Sequence, residues 1–391
     1  MDFREHPLHE HGWQEHRLNF PILSRKIHLA NCSMGPKSIP VQNAIQEYLD
    51  SWGSKGMDWD FWMSEVARAK QSFAKLIHAH PEEIAVLSSV SETVSTIASA
   101  LPAVLSKNQV LVGTEEFPTV GHAWLGSARK GRLDVRFVEP HGYFFTPSTF
   151  EPHLADSTAI LSIHLASYKS GAKQDVAELA KLAHAHNAWI FVDAYQAAGS
   201  VEIDVQQMDV DFLASGTLKY LLGTPGIAFL YVKKEVAEQL EPAMTGWFGR
   251  VDPFAFDTTH LDFAPGSGRF NMGTPPILPA FAARAGIDYV QSVGTRVIEA
   301  RIQALSRHCL EQAVQRGLEV ASPADWRKKG AMTAIRANHP HELEGFLAER
   351  NILCSARGDV IRIAPHFFSE ESEIDAALDA ILDWEHSCKK P

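Results

Sequence analysis

Short apolar segments alternate with amphipathic segments through the first two thirds of the chain. The apolar segments are IAVLSS (84–89), QVLVGT (109–114), DVRFVEP (134–140), AILSIHLA (159–166), WIFVDA (189–194), DFLASGT (211–217) and GIAFLYV (226–232). Between them lie segments such as SETVSTIASALPAVL and KQDVAELAKLAHAHN, whose apolar residues recur at helical spacing. This alternation predicts an α/β fold with a mostly parallel seven-stranded sheet flanked by helices.

The last two apolar segments are joined by a connection too short for a crossover helix. The connection contains KYLLGTP and is only eight residues long (218–225), whereas a parallel connection needs about a dozen residues or more. The segment GIAFLYV is therefore predicted to run antiparallel to its neighbour.

A Pro- and Gly-rich stretch at 263–279 interrupts the pattern. Beyond it come long helical segments and short strands such as MTAIRA and VIRIAP, which are typical of an α+β domain. The first thirty residues have no sheet pattern. We therefore predict an N-terminal arm (1–30), a large domain (31–270) and a smaller C-terminal α+β domain (271–391). The arm is expected to pack on the small domain or on a partner subunit.

Charge and cysteine content exclude several classes of protein. The 36 Lys and Arg against 47 Asp and Glu give a net charge of −11, which argues against nucleic acid or an anionic membrane as partner. The four cysteines (Cys32, Cys309, Cys354 and Cys388) form no CxxC pair, so neither a metal site nor a disulfide framework is expected. Without an apolar leader segment or an apolar run of about 18 residues, the predicted location is the cytoplasm.

Three strand ends carry residues suited to chemistry. Asp193 ends WIFVD, where a carboxylate needs a cationic or proton-donating partner. Lys219 follows the next strand among apolar neighbours, which lower the pKa of its amine and make it a nucleophile. At VLSSVSETVS (86–95) a strand gives way to a helix whose free N–H groups and hydroxyls can bind phosphate.

In an open α/β sheet these strand ends face one crevice. Taken singly, Asp193 could cap a helix, Lys219 could lie on a surface loop, and the serines could be plain N-caps. Together they supply a lysine for a Schiff base, an acid for a pyridinium nitrogen and a phosphate cradle, which are the groups that pyridoxal 5′-phosphate (PLP) requires.

The motif FVDAYQAAG, followed 26 positions after its Asp by the Lys of SGTLKYLLGTPG, resembles the class V aminotransferase family of fold-type I PLP enzymes. That family includes cysteine desulfurases, kynureninases and isopenicillin N epimerase. The resemblance extends from LANCSMGPKS (29–38) to RIAPHFFSEESEID (362–375). A nicotinamide-dependent dehydrogenase is disfavoured, because no GxGxxG follows the first strand.

The resemblance implies a role for each matching residue around the cofactor. Lys219 is expected to hold PLP as a Schiff base and later to move the Cα proton. Asp193 would pair with the pyridinium nitrogen, and Gln196 would donate a hydrogen bond to the ring O3′. Val90 and Ser91 match the family's phosphate-binding helix start.

Further matches concern the ring, the substrate and the neighbouring subunit. Phe117 in EEFPT matches the aromatic residue that stacks on the cofactor ring. Trp247 in GWFG and Thr274 in RFNMGTPPI resemble kynureninase residues that reach the phosphate, the Thr from the partner of a homodimer. Arg362 matches the arginine that binds the substrate α-carboxylate, and Ser167, near the family's strand-end Asn, is a second substrate-side candidate.

Three departures from the family pattern reduce the number of reactions expected of this chain. Leu218 stands where family members often carry His or Tyr, and Gln196 stands where kynureninases usually have His. Cysteine desulfurases need a mobile, cysteine-bearing loop before the C-terminal arginine. Here Cys354 and Arg362 belong to one short segment, ILCSARGDVIRI (352–363), so that the loop is expected to be missing. Cys354 is expected to end a strand.

The expected activity is that of a PLP enzyme acting on an α-amino acid, as a transaminase or as a Cβ-cleaving, cysteine desulfurase-like lyase. An epimerase or a kynureninase-type hydrolase is the alternative. A catalytically silent PLP-fold binding protein is a third, which the intact set of Lys219, Asp193, Gln196 and Arg362 disfavours. The aromatic residues that could line a pocket for a large side chain, or belong to the core, are Trp13, Trp124, Tyr143, Phe144, Trp247 and Phe248.

Overall fold

A central sheet organises the chain. The structure is a computed structural model that describes residues 12–104, 107–131 and 133–388. Its strands are β1 (Ile27–His28), β2 (Ile84–Leu87), β3 (Gln109–Gly113), β4 (Asp134–Val138), β5 (Thr158–His164), β6 (Trp189–Asp193), β7 (Phe212–Gly216), β8 (Ala228–Val232), β9 (Thr333–Arg336), β10 (Ile352–Leu353), β11 (Ser355–Arg357) and β12 (Val360–Ile363). The helices are α1 (Gly12–Arg17), α2 (Ile39–Lys55), α3 (Trp59–Leu76), α4 (Val90–Val104), α5 (Pro118–Ala128), α6 (Pro147–Phe150), α7 (Val176–Ala185), α8 (Val205–Met208), α9 (Lys234–Ala237), α10 (Ile277–Val293), α11 (Thr295–Gln315), α12 (Pro340–Glu349) and α13 (Glu371–Cys388).

The seven predicted strands form one sheet in the order β2-β8-β7-β6-β5-β3-β4. Strand β8 is antiparallel to both of its neighbours, β7 and β2, and the other pairs are parallel. The predicted α/β class and the predicted direction of GIAFLYV are therefore confirmed.

Side chains that alternate along the strands pack into two separate cores. Ile160 and Phe191 join helices α4 and α5 on one face of the sheet. Leu161 and Val192 join helices α3 and α7 on the other. Because both faces are covered, β5 is buried along its whole length, which explains its continuous apolar sequence.

A small unit, formed by α11–α13 and β9–β12, adjoins the sheet. Its antiparallel sheet has the order β11-β12-β9, and β1 pairs in parallel with β10. Arg17 of α1 binds Glu373 at 2.7 Å, and the ring of Trp13 lies 4.2 Å from the Arg301 guanidinium. The described part of the predicted arm thus contacts the small unit through Trp13 and Arg17, and His16 and Phe20 contact Tyr289 of α10. Residues 1–11 lie outside the described residues.

Helix α10 belongs with the large unit, which comprises the seven-stranded sheet and the helices packed on it. Phe281, Ala282 and Ala285 of α10 form a buried cluster with Val41 of α2 and Trp62 of α3. The helix that follows the Pro- and Gly-rich stretch at 263–279 thus packs against α2 and α3. The predicted boundary between residues 270 and 271 stays a prediction.

None of the described helices combines the length and the apolar character that crossing a bilayer requires.

A lysine is buried inside the small unit without an acidic partner among the described residues. Lys329 is 1% exposed, and its amine donates hydrogen bonds to the hydroxyls of Ser306 and Thr333. Burial lowers the pKa of this lysine to about 8. Below that pH the folded protein must hold a buried cation, which costs stability.

We expect Lys329→Met to raise the free energy of unfolding by about 1–3 kcal/mol at pH 7. In the wild type the folded state releases the Lys329 proton near pH 8 while the unfolded chain keeps it to about pH 10.4, so this group makes stability rise over that interval. Urea unfolding of the cofactor-free protein from pH 7 to 10 measures both effects. The exposed Lys328→Met serves as control, and an unchanged pH profile in Lys329→Met would contradict the assignment.

Candidate active site

A cavity of about 240 Å³ opens where the carboxyl ends of β5, β6 and β7 meet the small unit. Its lining comprises Cys32, Ser33, Phe117, His164, Ala166, Tyr168, Asp193, Tyr195, Gln196, Leu218, Lys219, Arg357 and Arg362. Five of the ten residues proposed from sequence therefore come together: Phe117, Asp193, Gln196, Lys219 and Arg362. Their individual roles remain predictions.

Lys219 is carried by a tight loop that follows β7. The amide of Gly223 donates to the carbonyl of Thr217 at 2.9 Å, which closes the loop. Gly35 packs against it so closely that a Cβ there would lie 2.5 Å from the carbonyl oxygen of Lys219. The lysine Nζ lies 4.2 Å from the centroid of the Tyr195 ring and 5.8 Å from that of Phe117. Its position is thus fixed between two aromatic walls.

Burial makes the Lys219 amine a better nucleophile. Loss of water lowers its pKa to about 8, partly opposed by the charge of Asp193 and aided by Arg362 and Arg357. About half of the amine is therefore unprotonated near pH 8, and only this form can attack a carbonyl.

Asp193 ends β6 and is 6% exposed. Its Oδ1 accepts a hydrogen bond of 2.8 Å from the amide of Tyr195. Burial and the nearby charge of Glu116 raise the pKa of Asp193 to about 6. A cation at this carboxylate would reverse that shift.

A buried pair that sequence reasoning missed, His164 and Glu116, lies next to Asp193. His164 lies beside Asp193 in the register of β5 and β6. Its Nδ1 contacts Glu116 Oε1 at 2.7 Å, and this contact raises the pKa of His164 although burial alone would lower it. His164 ends β5 as Asp193 ends β6, so the rule of reading strand ends could have found it.

The arrangement of Lys219 and Asp193 fits a cofactor placed between them. They line the same cavity, yet within the described part of the chain no ion pair joins them. A buried amine and a buried carboxylate left apart are costly unless a third group contacts both. A pyridine ring that carries an aldehyde at one position and a nitrogen at another meets both needs.

Arg362 places a buried cation on the other side of the cavity. It is 1% exposed, and its guanidinium donates to the carbonyl of Tyr168 at 3.0 Å and to the hydroxyls of Ser33 and Ser355 at 2.9 and 2.7 Å. No carboxylate among the described residues pairs with it. A buried guanidinium with only neutral acceptors is suited to bind an anion from solution.

Val90 and Ser91 begin α4, at the carboxyl end of β2. The Ser91 hydroxyl is hydrogen-bonded to that of Thr119 on α5. These residues lie outside the lining of the Lys219 cavity, but the carboxyl end of β2 is at the same edge of the sheet. The N-terminus of this 15-residue helix has the N–H groups that bind phosphate.

Three further predicted site residues are absent from the lining of the cavity in their own chain. Trp247 packs in an aromatic group with Trp59, Phe248 and Phe256. Thr274 is exposed on a loop beside this group. The hydroxyl of Ser167 accepts hydrogen bonds from the amides of Lys169 and Ser170, both at 3.2 Å, so it stabilises a turn. For Ser167 the geometry offers no support for a contact with substrate.

The other aromatic candidates also lie elsewhere. Trp124 is fully buried and donates to Ser162 in the core, and Phe144 lies over Lys328. Trp13 lies on Arg301, as described above, and Tyr143 contributes its carbonyl to Gln174. The aromatic walls of the cavity are instead Phe117, Tyr168 and Tyr195.

Cys354 lies between β10 and β11 in the core of the small unit and is 5% exposed. Burial raises the pKa of its thiol far above the usual range, so the reactive thiolate is disfavoured. The cysteine that lines the cavity is Cys32, which sequence reasoning did not single out. In the described part of the chain, His, Cys, Asp and Glu side chains form no group of three or more suited to a metal ion.

Comparison with known proteins agrees with this geometry. The family model described as "Aminotransferase class-V" matches residues 31–368, which include every cavity residue. The chain belongs to the class V aminotransferase family. Membership in that family makes it an enzyme with PLP as its cofactor.

The similarity to individual proteins covers nearly the whole chain. The "uncharacterized aminotransferase YcbU" of Bacillus subtilis is 35% identical over 372 residues, 95% of this chain and 98% of that protein. A kynureninase of Deinococcus radiodurans is 27% identical over 94% of this chain and 92% of its own length. Among solved structures, a cysteine desulfurase of Thermococcus onnurineus has a TM-score of 0.86 with 22% identity, covering 96% of this chain and 98% of that one. The last similarity shows the shared fold.

We expect Asp193→Asn to stabilise the cofactor-free protein and to weaken PLP binding. Because the folded pKa of Asp193 is raised to about 6, its burial costs stability above that pH and nothing below about pH 4. The free energy of unfolding of the variant should exceed that of the wild type by about 1–3 kcal/mol at pH 8, and the difference should shrink as the pH falls towards 4. Urea unfolding and PLP titration provide the two measurements.

The exposed Asp383→Asn serves as the control for loss of one carboxylate charge. The assignment of Asp193 to the cofactor would be contradicted if the cofactor-free variant were less stable than the wild type at pH 8, or if its affinity for PLP were unchanged.

Proposed function

We propose that this class V family member is an aminotransferase acting on an α-amino acid. The observation that carries the proposal is the shared cavity of Lys219 and Arg362, which offers an amine and a buried, unpaired guanidinium to one small molecule. The guanidinium suits the α-carboxylate because its planar fork can donate two parallel hydrogen bonds.

Residues of a single chain orient the substrate and hold most of the cofactor. Arg362 binds the α-carboxylate and so directs Cα towards Lys219, whose Nζ then takes and returns the Cα proton. Phe117 packs against the ring, and Val90 and Ser91 at the start of α4 bind the phosphate. Asp193 keeps positive charge at the ring nitrogen. Bound PLP supplies an electron sink for the charge that develops at Cα.

Amino transfer is favoured over release of sulfur. The relative at 35% identity is named an aminotransferase. A sulfur-accepting cysteine would need a mobile loop, and in this chain β11 and β12 are joined by the two residues Gly358 and Asp359. Cys354 is buried behind this hairpin, which leaves it unsuited to accept sulfur. A Cβ-cleaving lyase that releases its product to water remains the second candidate, and product analysis separates the two.

We further propose a homodimer in which Thr274 completes the phosphate site of the neighbouring subunit. Thr274 and the aromatic group around Trp247 lie outside the chain's own Lys219 cavity. Phe254 and Phe256 of that group are 51% and 73% exposed, an apolar surface suited to a second copy. The free thiols of Cys32, Cys309, Cys354 and Cys388 suit a reducing compartment, and we place the enzyme in the cytoplasm.

We expect the wild type, but not Lys219→Ala, to form a visible absorption band with PLP that borohydride fixes onto Lys219. The rate of band formation should rise with pH through about 8, because only the unprotonated amine reacts. The exposed Lys234→Ala is the control and should behave as the wild type. A band that persists in Lys219→Ala would show that another amine reacts.

Transfer of ¹⁵N from a labelled L-amino acid to an added 2-oxo acid establishes amino transfer. Release of the label as ammonia, together with the β-substituent, would instead identify the lyase.

The dimer is tested by complementation between two defective chains. We expect Thr274→Ala alone to weaken PLP binding about tenfold or more, the effect of losing one hydrogen bond to a charged group. A heterodimer of Lys219→Ala and Thr274→Ala, purified through two tags, contains one complete site if Thr274 serves the neighbour. It should bind Lys219-linked PLP with wild-type affinity in half of its sites. Absence of recovery, or a functional monomer in light scattering, would contradict the proposal.

A further inference from the structure

A second arginine shares the cavity with Arg362 and has no role in the function proposed above. Arg357 ends β11 and lines the cavity together with Lys219 and Arg362. In the hairpin register, Ser355 lies opposite Arg362, and Arg357 lies two residues beyond Ser355. Side chains two positions apart along a strand point to the same face. Arg357 and Arg362 are therefore diagonal neighbours on one face, with Cα atoms about 7–8 Å apart.

The guanidinium of Arg357 is free of partners within the described part of the chain. It makes no hydrogen bond, ion pair or ring contact there. The carboxylate in the same turn, Asp359, is bound by Arg336 of β9, which also pairs with Glu319. An arginine left unpaired at the mouth of a cavity, although a carboxylate lies two residues away, is available to an incoming anion.

The side chains that line the cavity carry more positive than negative charge, which also favours binding of an anion. Lys219, Arg357 and Arg362 face the cavity, against the single carboxylate of Asp193. Glu116 does not neutralise this positive charge, because its carboxylate is bound to His164. Once Lys219 and Asp193 are engaged by the cofactor, two guanidinium groups remain for the substrate. An ordinary amino acid supplies only one carboxylate.

We propose that the substrate is an amino acid whose side chain ends in an anionic group, and that Arg357 binds this group while Arg362 binds the α-carboxylate. The inference rests on the proposed function, because it takes Arg362 as the α-carboxylate site. Two long side chains that start about 7–8 Å apart can contact both ends of a small diacid. Carboxylate, sulfinate and phosphate share the oxygen geometry that a guanidinium binds in a bidentate manner.

The size of the effect follows from the exposure of Arg357. A hydrogen bond to a charged group contributes about 10- to 100-fold in affinity, and solvent screening at an exposed side chain reduces this towards the lower limit. We therefore expect a preference of about tenfold for an anionic side chain over its neutral isostere. The preference should decrease as salt is raised.

The test measures the dissociation constants of amino acids from the PLP-loaded enzyme by the change in visible absorption. L-Aspartate, L-glutamate, L-cysteine sulfinate and O-phospho-L-serine are compared with L-asparagine, L-glutamine and L-serine. The wild type is expected to bind at least one anionic member about tenfold more tightly than its neutral counterpart, and the member with the largest ratio identifies the anion. Arg357→Gln should abolish this ratio, and Arg357→Lys should restore part of it.

Arg350→Gln is the matched control. Arg350 is an exposed arginine of the same unit whose guanidinium lies 3.5 Å from the Phe346 ring centroid, and it is absent from the cavity lining. Its removal takes away one positive charge and should leave the ratio unchanged. Calorimetric binding of maleate and of acetate to the PLP-loaded protein adds a readout independent of turnover. The wild type, but not Arg357→Gln, should favour maleate.

The outcomes that would contradict the role of Arg357 differ from the outcome that would contradict the proposed function. If no Lys219-dependent band forms, the proposed function itself is wrong. If the band forms and amino acids react without preference for anionic side chains, the assignment of Arg357 alone is overturned. A variant Arg357→Gln that keeps the ratio but binds PLP more weakly would likewise overturn it, because Arg357 would then contact the cofactor.

Discussion

The buried guanidinium of Arg362 ties the two units of this protein together. A cation inside a protein must be surrounded by acceptors, and Arg362 finds them in three separate parts of the chain. They are the carbonyl of Tyr168 after β5, the hydroxyl of Ser33 after β1, and Ser355 in the adjoining strand. Because these acceptors must surround the guanidinium, the chain segments that carry them are held in place around the cavity. The same atoms that satisfy the arginine in the cofactor-free protein therefore define the space left for a substrate.

Burial acts in opposite directions on the two groups that face the cofactor. It lowers the pKa of Lys219 to about 8 and raises that of Asp193 to about 6, because water stabilised the charged form of each. Both groups are thereby brought towards neutral pH, where an amine can react and a carboxylate can respond to a nearby cation. Such shifts reduce the stability of the cofactor-free fold, and binding of the cofactor offsets the cost.

A short hairpin that carries two arginines forms one wall of the cavity. Leu218, the neighbour of Lys219 in the chain, also lines this cavity. The hairpin of β11 and β12 closes through the two residues Gly358 and Asp359, Gly358 having a φ of 58°. Arg357 and Arg362 thus reach the cavity from the two strands of one short hairpin.

The sequence by itself determined the strands and the residues at their ends. Apolar runs set the seven strands to within a few residues, and parallel strands necessarily bring their carboxyl ends to one edge. For this reason Asp193 and Lys219 could be placed together without coordinates. The family resemblance extended the set to Gln196, Phe117 and Arg362, all of which line the cavity.

Only the tertiary structure decided which remaining side chains face that edge. Ser167 turns its hydroxyl into a local turn, while its neighbours Ala166 and Tyr168 line the cavity. Arg357 reaches the cavity through the register of a hairpin, and His164 is significant through its contact with Glu116, 48 positions away. Helix α10 returns to the large unit because its apolar face matches α2 and α3. Local patterns specify elements, but the direction of a side chain depends on packing between residues distant in sequence, which no local pattern encodes.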